Sequence, residues 1–293
     1  MKKGTFFGKG AVALLLTGTL FFTACKKELS GKLDELNAVE TTVNDLETDA
    51  VYDDVNDIAM GISSDGGEEL GFTPGSGVFD NASGSPAARI SEGRCFTLTV
   101  VPQERGVFPK TVTIDFGSGC LGRDGKTRKG KIITVFTGPM RQPGSKATTT
   151  FDGYKVDSIA VTGTHEVINN SVAETKILTK RVLEGKLTWD SGRWVKWNAT
   201  RTFTFLAGAD TPEPMDNVIQ ITGAGRGENS KGKSWSHEVI EPLIKKFTCR
   251  WITKGVVKFR HNEVVGLLNF GNGDCDNKAT ILINGVLREI SLR

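Results

Sequence analysis

From Arg94 to its end the chain is a succession of short runs rich in Val, Ile, Thr and Phe, each closed by a turn signal, with no helix-length apolar period between them. Lys131 to Thr137, Ile159 to Gly163, Thr200 to Leu206 and Val218 to Thr222 are examples. Such residues suit a pleated, half-buried surface. Parallel strands need a crossover segment, usually helical, so the missing helical periods exclude a β-α-β architecture. The expected fold is all-β, an antiparallel meander forming a sandwich or elongated double sheet. Two hairpins are legible in detail. In Ala279 to Leu292, Asn284-Gly285 separates two alternating runs, and that dipeptide favours a tight turn with positive φ at both central residues. A second hairpin is expected around Asp190-Ser191-Gly192.

The start of the chain has a different character. Lys2, Lys3 and Lys9 precede an apolar run from Ala11 to Phe22, which ends Thr23-Ala24-Cys25. That is the layout of a secretory signal peptide over residues 1–24. The run is about a dozen residues, short of the roughly twenty a membrane-spanning helix needs. Its ending resembles the lipobox of bacterial lipoproteins, which implies an acylated Cys25 at the new N-terminus. The remaining 269 residues suffice for a proper core.

Over residues 25–62, Leu33, Leu36, Val39, Val43, Leu46 and Ala50, then Val51, Val55, Ile58 and Ile62, recur at three- and four-residue steps. Asp34, Glu35, Asp45, Glu47, Asp53, Asp54 and Asp57 fill much of the rest, so this is an acidic amphipathic helix, with a break expected near Thr48 to Val51. Its apolar stripe is expected to bury on the β domain or on another copy. Residues 63–91, rich in Gly, Ser, Asp and Pro, read as a linker. The net charge of +3 conceals a division: Glu28 to Asp80 holds 14 acidic residues against Lys32 alone, while Asn81 to Arg293 holds 31 basic and 20 acidic ones. The basic part is expected to present a solvated β surface with charged edges, an anionic polysaccharide being the partner it would suit.

Two stretches of the 92–293 β domain look like copies of one unit. Cys95 enters a strand and Cys120 follows Phe116-Gly-Ser-Gly; Cys249 enters a strand and Cys275 follows Phe270-Gly-Asn-Gly-Asp. Export favours disulfides, and pairing within units, Cys95 with Cys120 and Cys249 with Cys275, is expected among three connectivities.

Taken together, Val39 to Ala50 with Tyr52-Asp-Asp-Val55, Ile114-Asp-Phe-Gly-Ser-Gly-Cys120 with Asp124 to Ile132, and Asn269 to Thr280 resemble a family of exported lipoproteins of Bacteroidetes-type bacteria. The resemblance covers most of the mature chain. It implies a lipid-anchored envelope protein and carries over no catalytic residue. In relatives of these bacteria a charged stretch after the lipidated cysteine directs surface display, and Lys26-Lys27-Glu28 matches that only in part, leaving the periplasmic or surface face open. Asp157-Ser158-Ile159 resembles the O-glycan acceptor motif of such proteins.

The remaining motifs favour structure over chemistry. Gly227 to Ser234 satisfies the G-x-x-x-x-G-K-S phosphate-loop pattern, but Trp235 to Pro242 alternates like a strand where a helix should begin, so a hairpin is expected. Asn272, Asp274, Asp276 and Asn277 crowd one turn without the glycine and glutamate of a calcium loop. His165, His237 and His261 are isolated, no nucleophile elbow occurs, and Asp152 and Asp157 lack a geometry sequence can fix. Arg123, Lys126, Arg128, Lys129 and Lys131 read as a solvated hairpin tip without the aromatics nucleic acid would require. Trp189, Trp194 and Trp197 flank the hairpin at Asp190, and Trp189 and Trp194 are expected to face each other across it as a candidate ligand-binding platform. No catalytic residue, metal site or cofactor is expected. The reading is a non-enzymatic lipoprotein, tethered by its lipid at the outer membrane, that binds or scaffolds an envelope partner; a glycan- or small-ligand-binding β protein is the alternative, and a carboxylate hydrolase a third.

Overall fold

A computed structural model describes residues 22–60, 96–122, 124–209 and 214–292. The fold is one long helix, α1 (Phe22–Met60), lying on one antiparallel sheet. The strands are β1 (Thr97–Val101), β2 (Lys110–Asp115), β3 (Cys120–Leu121), β4 (Thr127–Phe136), β5 (Lys146–Val156), β6 (Ile159–Asn169) and β7 (Ile177–Trp189). They continue as β8 (Trp194–Ala207), β9 (Val218–Asn229), β10 (Ser234–Lys246), β11 (Ile252–His261), β12 (Val264–Asn272), β13 (Lys278–Ile283) and β14 (Val286–Ser291). Each pairs with its neighbour in sequence, except that the short β3 lies beside β4, so β2 pairs β4 directly. The all-β meander is as expected, in one continuous sheet whose covering layer is α1 rather than a second sheet. The linker at 63–91 and Cys95 lie outside the described residues.

Strand alternation places one residue set on the helix-facing side, and burial follows it: Val112 and Ile114 on β2, Ile132, Thr134 and Phe136 on β4, Leu187 on β7, Val195 and Trp197 on β8. Tyr52, Val55, Ile58 and Ala59 of α1 complete this core, and Ala38 enters a second cluster with Phe259, Val264 and Leu268. The predicted hairpins form. Ile283 pairs Val286 around Asn284 (φ 50°) and Gly285 (φ 79°), and Thr188 pairs Trp194 around the Asp190 turn. The phosphate-loop match is the hairpin between β9 and β10.

Two helix expectations are corrected. The helix runs unbroken through Thr48 to Val51. Among the described residues its apolar stripe docks only in the last turns: Leu36, Val39, Val43 and Leu46 are 66%, 43%, 56% and 50% exposed, while Thr41, Asn44, Asp45 and Thr48 are buried. Over this stretch the helix lies on its polar face, because the sheet beneath offers fixed N–H donors and cations. The buried hydroxyls remain satisfied: Thr41 donates to the Ala38 carbonyl (3.0 Å) and Thr48 to that of Asn44 (2.7 Å).

Cys249 and Cys275 form a disulfide with a Cα–Cα distance of 5.7 Å. Cys120 is also disulfide-bonded, and its expected partner, Cys95, is outside the described residues.

Candidate functional site: a cavity at the helix–sheet seam

A row of acidic side chains on α1 meets a row of donors on the sheet. Glu40 pairs with Lys231 (2.9 Å) and Lys233 (2.7 Å), and Glu47 with Arg193 (2.8 Å). Asp49 pairs with Arg201, Asp53 with Lys180 (3.0 Å), and Asp54 with Lys126 (2.7 Å) and Arg128 (2.8 Å). Arg128, expected at a solvated tip, is fully buried and also holds Asp124 (2.7 Å). Lys131 does sit half-exposed between Asp115 and Asp152.

Asp45 is the centre of the seam. Its Oδ1 accepts the indole N–H of Trp197 (2.7 Å) and of Trp235 (2.9 Å), and its Oδ2 lies 2.8 Å from His237 Nδ1. Burial alone would raise this carboxyl, but the contact with His237 and the two indoles outweigh it and hold it below the usual carboxylate range. These rings can lie flat because β9 carries glycine beneath them. A Cβ at Gly227 would stand 2.2 Å from the Trp235 ring, and one at Gly225 2.4 Å from that of His237.

Asp45, Asp49, Asp53 and Asp57, four residues apart, form one wall of a cavity of about 530 Å³. The floor is apolar, built from Phe203 on β8, Ile219 and Ile221 on β9, Leu243 on β10, Val257 on β11 and Phe270 on β12. Burial, reinforced by Asp53 and Asp45, pushes the Asp49 carboxyl up to about 6 despite Arg201. Burial also raises Asp57, whose polar contact is Asn56 Nδ2 at 3.3 Å. His165, deep under the helix beside Tyr52, is pushed down to about 4 by burial, with Lys180 adding to the effect.

The predicted site residues are dispersed. Trp197 is buried, stacks on Tyr52 with centroids 5.9 Å apart, and serves Asp45. Trp189 shares the helix-facing side with Leu187, with Arg193 stacked 3.4 Å from its ring centre, whereas Trp194 is on the opposite face with Lys186 and Lys196 over it. The expected Trp189–Trp194 face-to-face pair is therefore corrected: Trp194 pairs in register with Thr188, not Trp189, and the strand pleat sends the two indoles to opposite faces. Ser158 lies exposed in the turn between β5 and β6. Asp152 and Asp157 are surface groups, Asp157 accepting the Thr127 amide at 2.8 Å. Among the described residues no group of three or more His, Cys, Asp or Glu side chains could hold a metal ion, and no helix is long and apolar enough to cross a membrane. Cys25 lies within α1, and its side chain is outside the described set.

Sequence reasoning missed the cavity and Asp45. The four-residue Asp spacing and the alternate glycines Gly223, Gly225 and Gly227 were the available signals.

No protein-family model, curated protein or solved structure matches this chain.

Proposed function

We propose that this protein is an envelope lipoprotein, tethered through an acylated Cys25, whose folded body binds an apolar or amphiphilic small molecule between α1 and the sheet. The observation that carries the reading is the cavity: about 530 Å³ with an apolar floor and a charged wall, within the roughly 300–1,000 Å³ range of small-molecule sites. A helix docked by its polar face leaves sheet residues such as Phe203, Val257 and Phe270 only partly covered beside it, and apolar surface left in a pocket favours a ligand that removes it from water. The tether rests on the leader and lipobox, and the resemblance to Bacteroidetes-type lipoproteins supports an outer-membrane address.

The binding test uses the full oxidised chain carrying Cys25→Ser and an environment-sensitive apolar naphthylamine dye. Saturable fluorescence enhancement is expected, abolished by Ile221→Trp, which fills the cavity, while cooperative thermal unfolding persists. Absence of saturable binding, or binding indifferent to Ile221→Trp, refutes the reading. For the tether, metabolic labelling with a palmitate analogue should mark the wild-type chain and not Cys25→Ser.

A further inference from the structure

The cations at the seam divide into two sets. Arg128, Lys180, Arg193, Arg201, Lys231 and Lys233 each hold a carboxylate of α1. Lys245 and Arg250 also line the cavity, yet neither holds a carboxylate among the described residues. Lys245 Nζ donates to the carbonyl oxygens of Cys249 and Arg250, and the Arg250 guanidinium lies 5.7 Å from the Trp251 ring centre. Both positions are anchored. Lys245 is paired in register with Ile219 on β9 and Ile252 on β11, and Arg250 follows Cys249, which the disulfide ties to Cys275. Half-buried Lys245 and exposed Arg250 thus place two positive charges, neither with a carboxylate partner among the described residues, at the end of an apolar floor formed by Ile219, Ile221, Leu243 and Phe270. Burial lowers Lys245 from the ordinary lysine range, the direction an adjacent anion would reverse.

We propose that the cavity takes a single-chain amphiphile with an anionic head, of the fatty-acid class, with its carboxylate at Lys245 and Arg250 and its chain along the floor toward Phe203. This rests on the binding reading above and specifies its ligand. The acidic wall does not compete for the head's place: Asp45, Asp49 and Asp53 are already matched by His237, Arg201 and Lys180. Asp57, which makes no ion pair among the described residues, has its carboxyl raised by burial. A cationic head would find most of the wall's carboxylates engaged, and an anionic head two cations with no described carboxylate partner. Guanidinium and ammonium bonds to a carboxylate are charge-assisted, and a buried apolar chain adds stabilisation with each methylene.

The test is competition for the bound dye on the full oxidised Cys25→Ser chain, using palmitate, 1-hexadecanol and hexadecyltrimethylammonium below their aggregation concentrations. Palmitate should displace the dye at a concentration on the order of tenfold below hexadecanol, the value of one charge-assisted contact. Lys245→Met with Arg250→Met should erase that advantage and leave hexadecanol unchanged. Equal competition by palmitate and hexadecanol, an advantage that survives the double substitution, or preference for the cationic chain would each overturn the assignment while leaving the cavity reading standing. Failure of the dye itself to bind removes both.

Discussion

Replacing Asp45 by alanine tests whether polar docking holds α1 in place. The wild-type carboxylate is 6% exposed and receives three groups, the Trp197 and Trp235 indoles on Oδ1 and His237 on Oδ2. Asp45→Ala removes the acceptor of both buried indoles and the carboxylate beside His237. Leaving one buried donor unsatisfied costs about 1–3 kcal/mol, and two indole N–H groups are left so. The effects are not additive, so the expected loss is about 3–5 kcal/mol. Asp45→Asn separates geometry from charge. Its amide oxygen can occupy the Oδ1 position and keep both indoles, leaving His237 alone to readjust, so about 1–2 kcal/mol is expected. Urea unfolding followed by tryptophan emission and circular dichroism measures both, with Glu289→Ala, at an exposed pair with Lys278, as a control expected to change little. The Asp45 carboxyl is lowered in the folded state, so its contribution is present above the unfolded value near 3.8 and is lost as pH falls through the lower folded value. If Asp45→Ala unfolds within about 1 kcal/mol of wild type, or Asp45→Asn is as damaging as alanine, the seam is not organised by this carboxylate.

Three further outcomes are expected. His165 and Asp49 act oppositely in mild acid: His165 is neutral in the fold down to about 4, so stability falls as pH drops from 6.5 toward 4, by up to about 3 kcal/mol, whereas Asp49 takes up its proton at about 6 when folded, so stability rises as pH drops from 6 toward 3.8. Chemical denaturation at a series of pH values should therefore show His165→Phe gaining stability toward pH 4 relative to wild type and Asp49→Asn losing it, and parallel curves would refute the assignment. Gly227→Ala, whose Cβ would stand 2.2 Å from the Trp235 ring, should cost about 1–3 kcal/mol by thermal unfolding and red-shift tryptophan emission as the indole leaves Asp45; an unchanged melting curve would count against the packing. Replacing Cys249 and Cys275 by serine opens a loop spanning a sequence separation of 26 and should lower unfolding free energy by about 3.5 kcal/mol on the chain-entropy relation, a loss that equilibrium urea denaturation would reveal.

The sheet was legible because strands announce themselves locally. Asn284-Gly285 and Asp190-Ser191-Gly192 specify their hairpins from neighbouring residues alone, and the β-branched runs alternate with the pleat. The helix was legible as a helix but not in its orientation. Apolar spacing marks Leu36, Val39, Val43 and Leu46 as one face, yet whether that face or its acidic neighbour turns inward depends on the surface it meets. That surface comes from residues far away in sequence: Asp45 meets Trp197, Trp235 and His237 across separations of 152 residues and more. The acidic arm and basic body were visible in the composition. Their contact was not, because a count of charges carries no register.

Register explains why the helix would dock through charge rather than through its leucines and valines. Residues four apart present similar apolar faces, so a stripe of Leu and Val could slide one turn along an apolar sheet with little change in buried area. The acidic row cannot slide so freely, because its partners differ: two indoles and an imidazole for Asp45, a guanidinium for Asp49, an ammonium for Asp53. A one-turn shift would bring Asp49 to the indoles and take Asp54 away from Arg128, leaving a fully buried guanidinium with one of its two carboxylates, Asp124. On this view the inner ion pairs set position more than stability, as a buried pair replaced by apolar residues of similar size is often neutral. Asp49→Leu combined with Arg201→Met should accordingly leave the unfolding free energy within about 1 kcal/mol of wild type while lowering hydrogen-exchange protection across Leu36 to Met60. A large loss of global stability would make Arg201 and Asp49 a structural strut, and unchanged helix protection would show that the remaining contacts already fix the register.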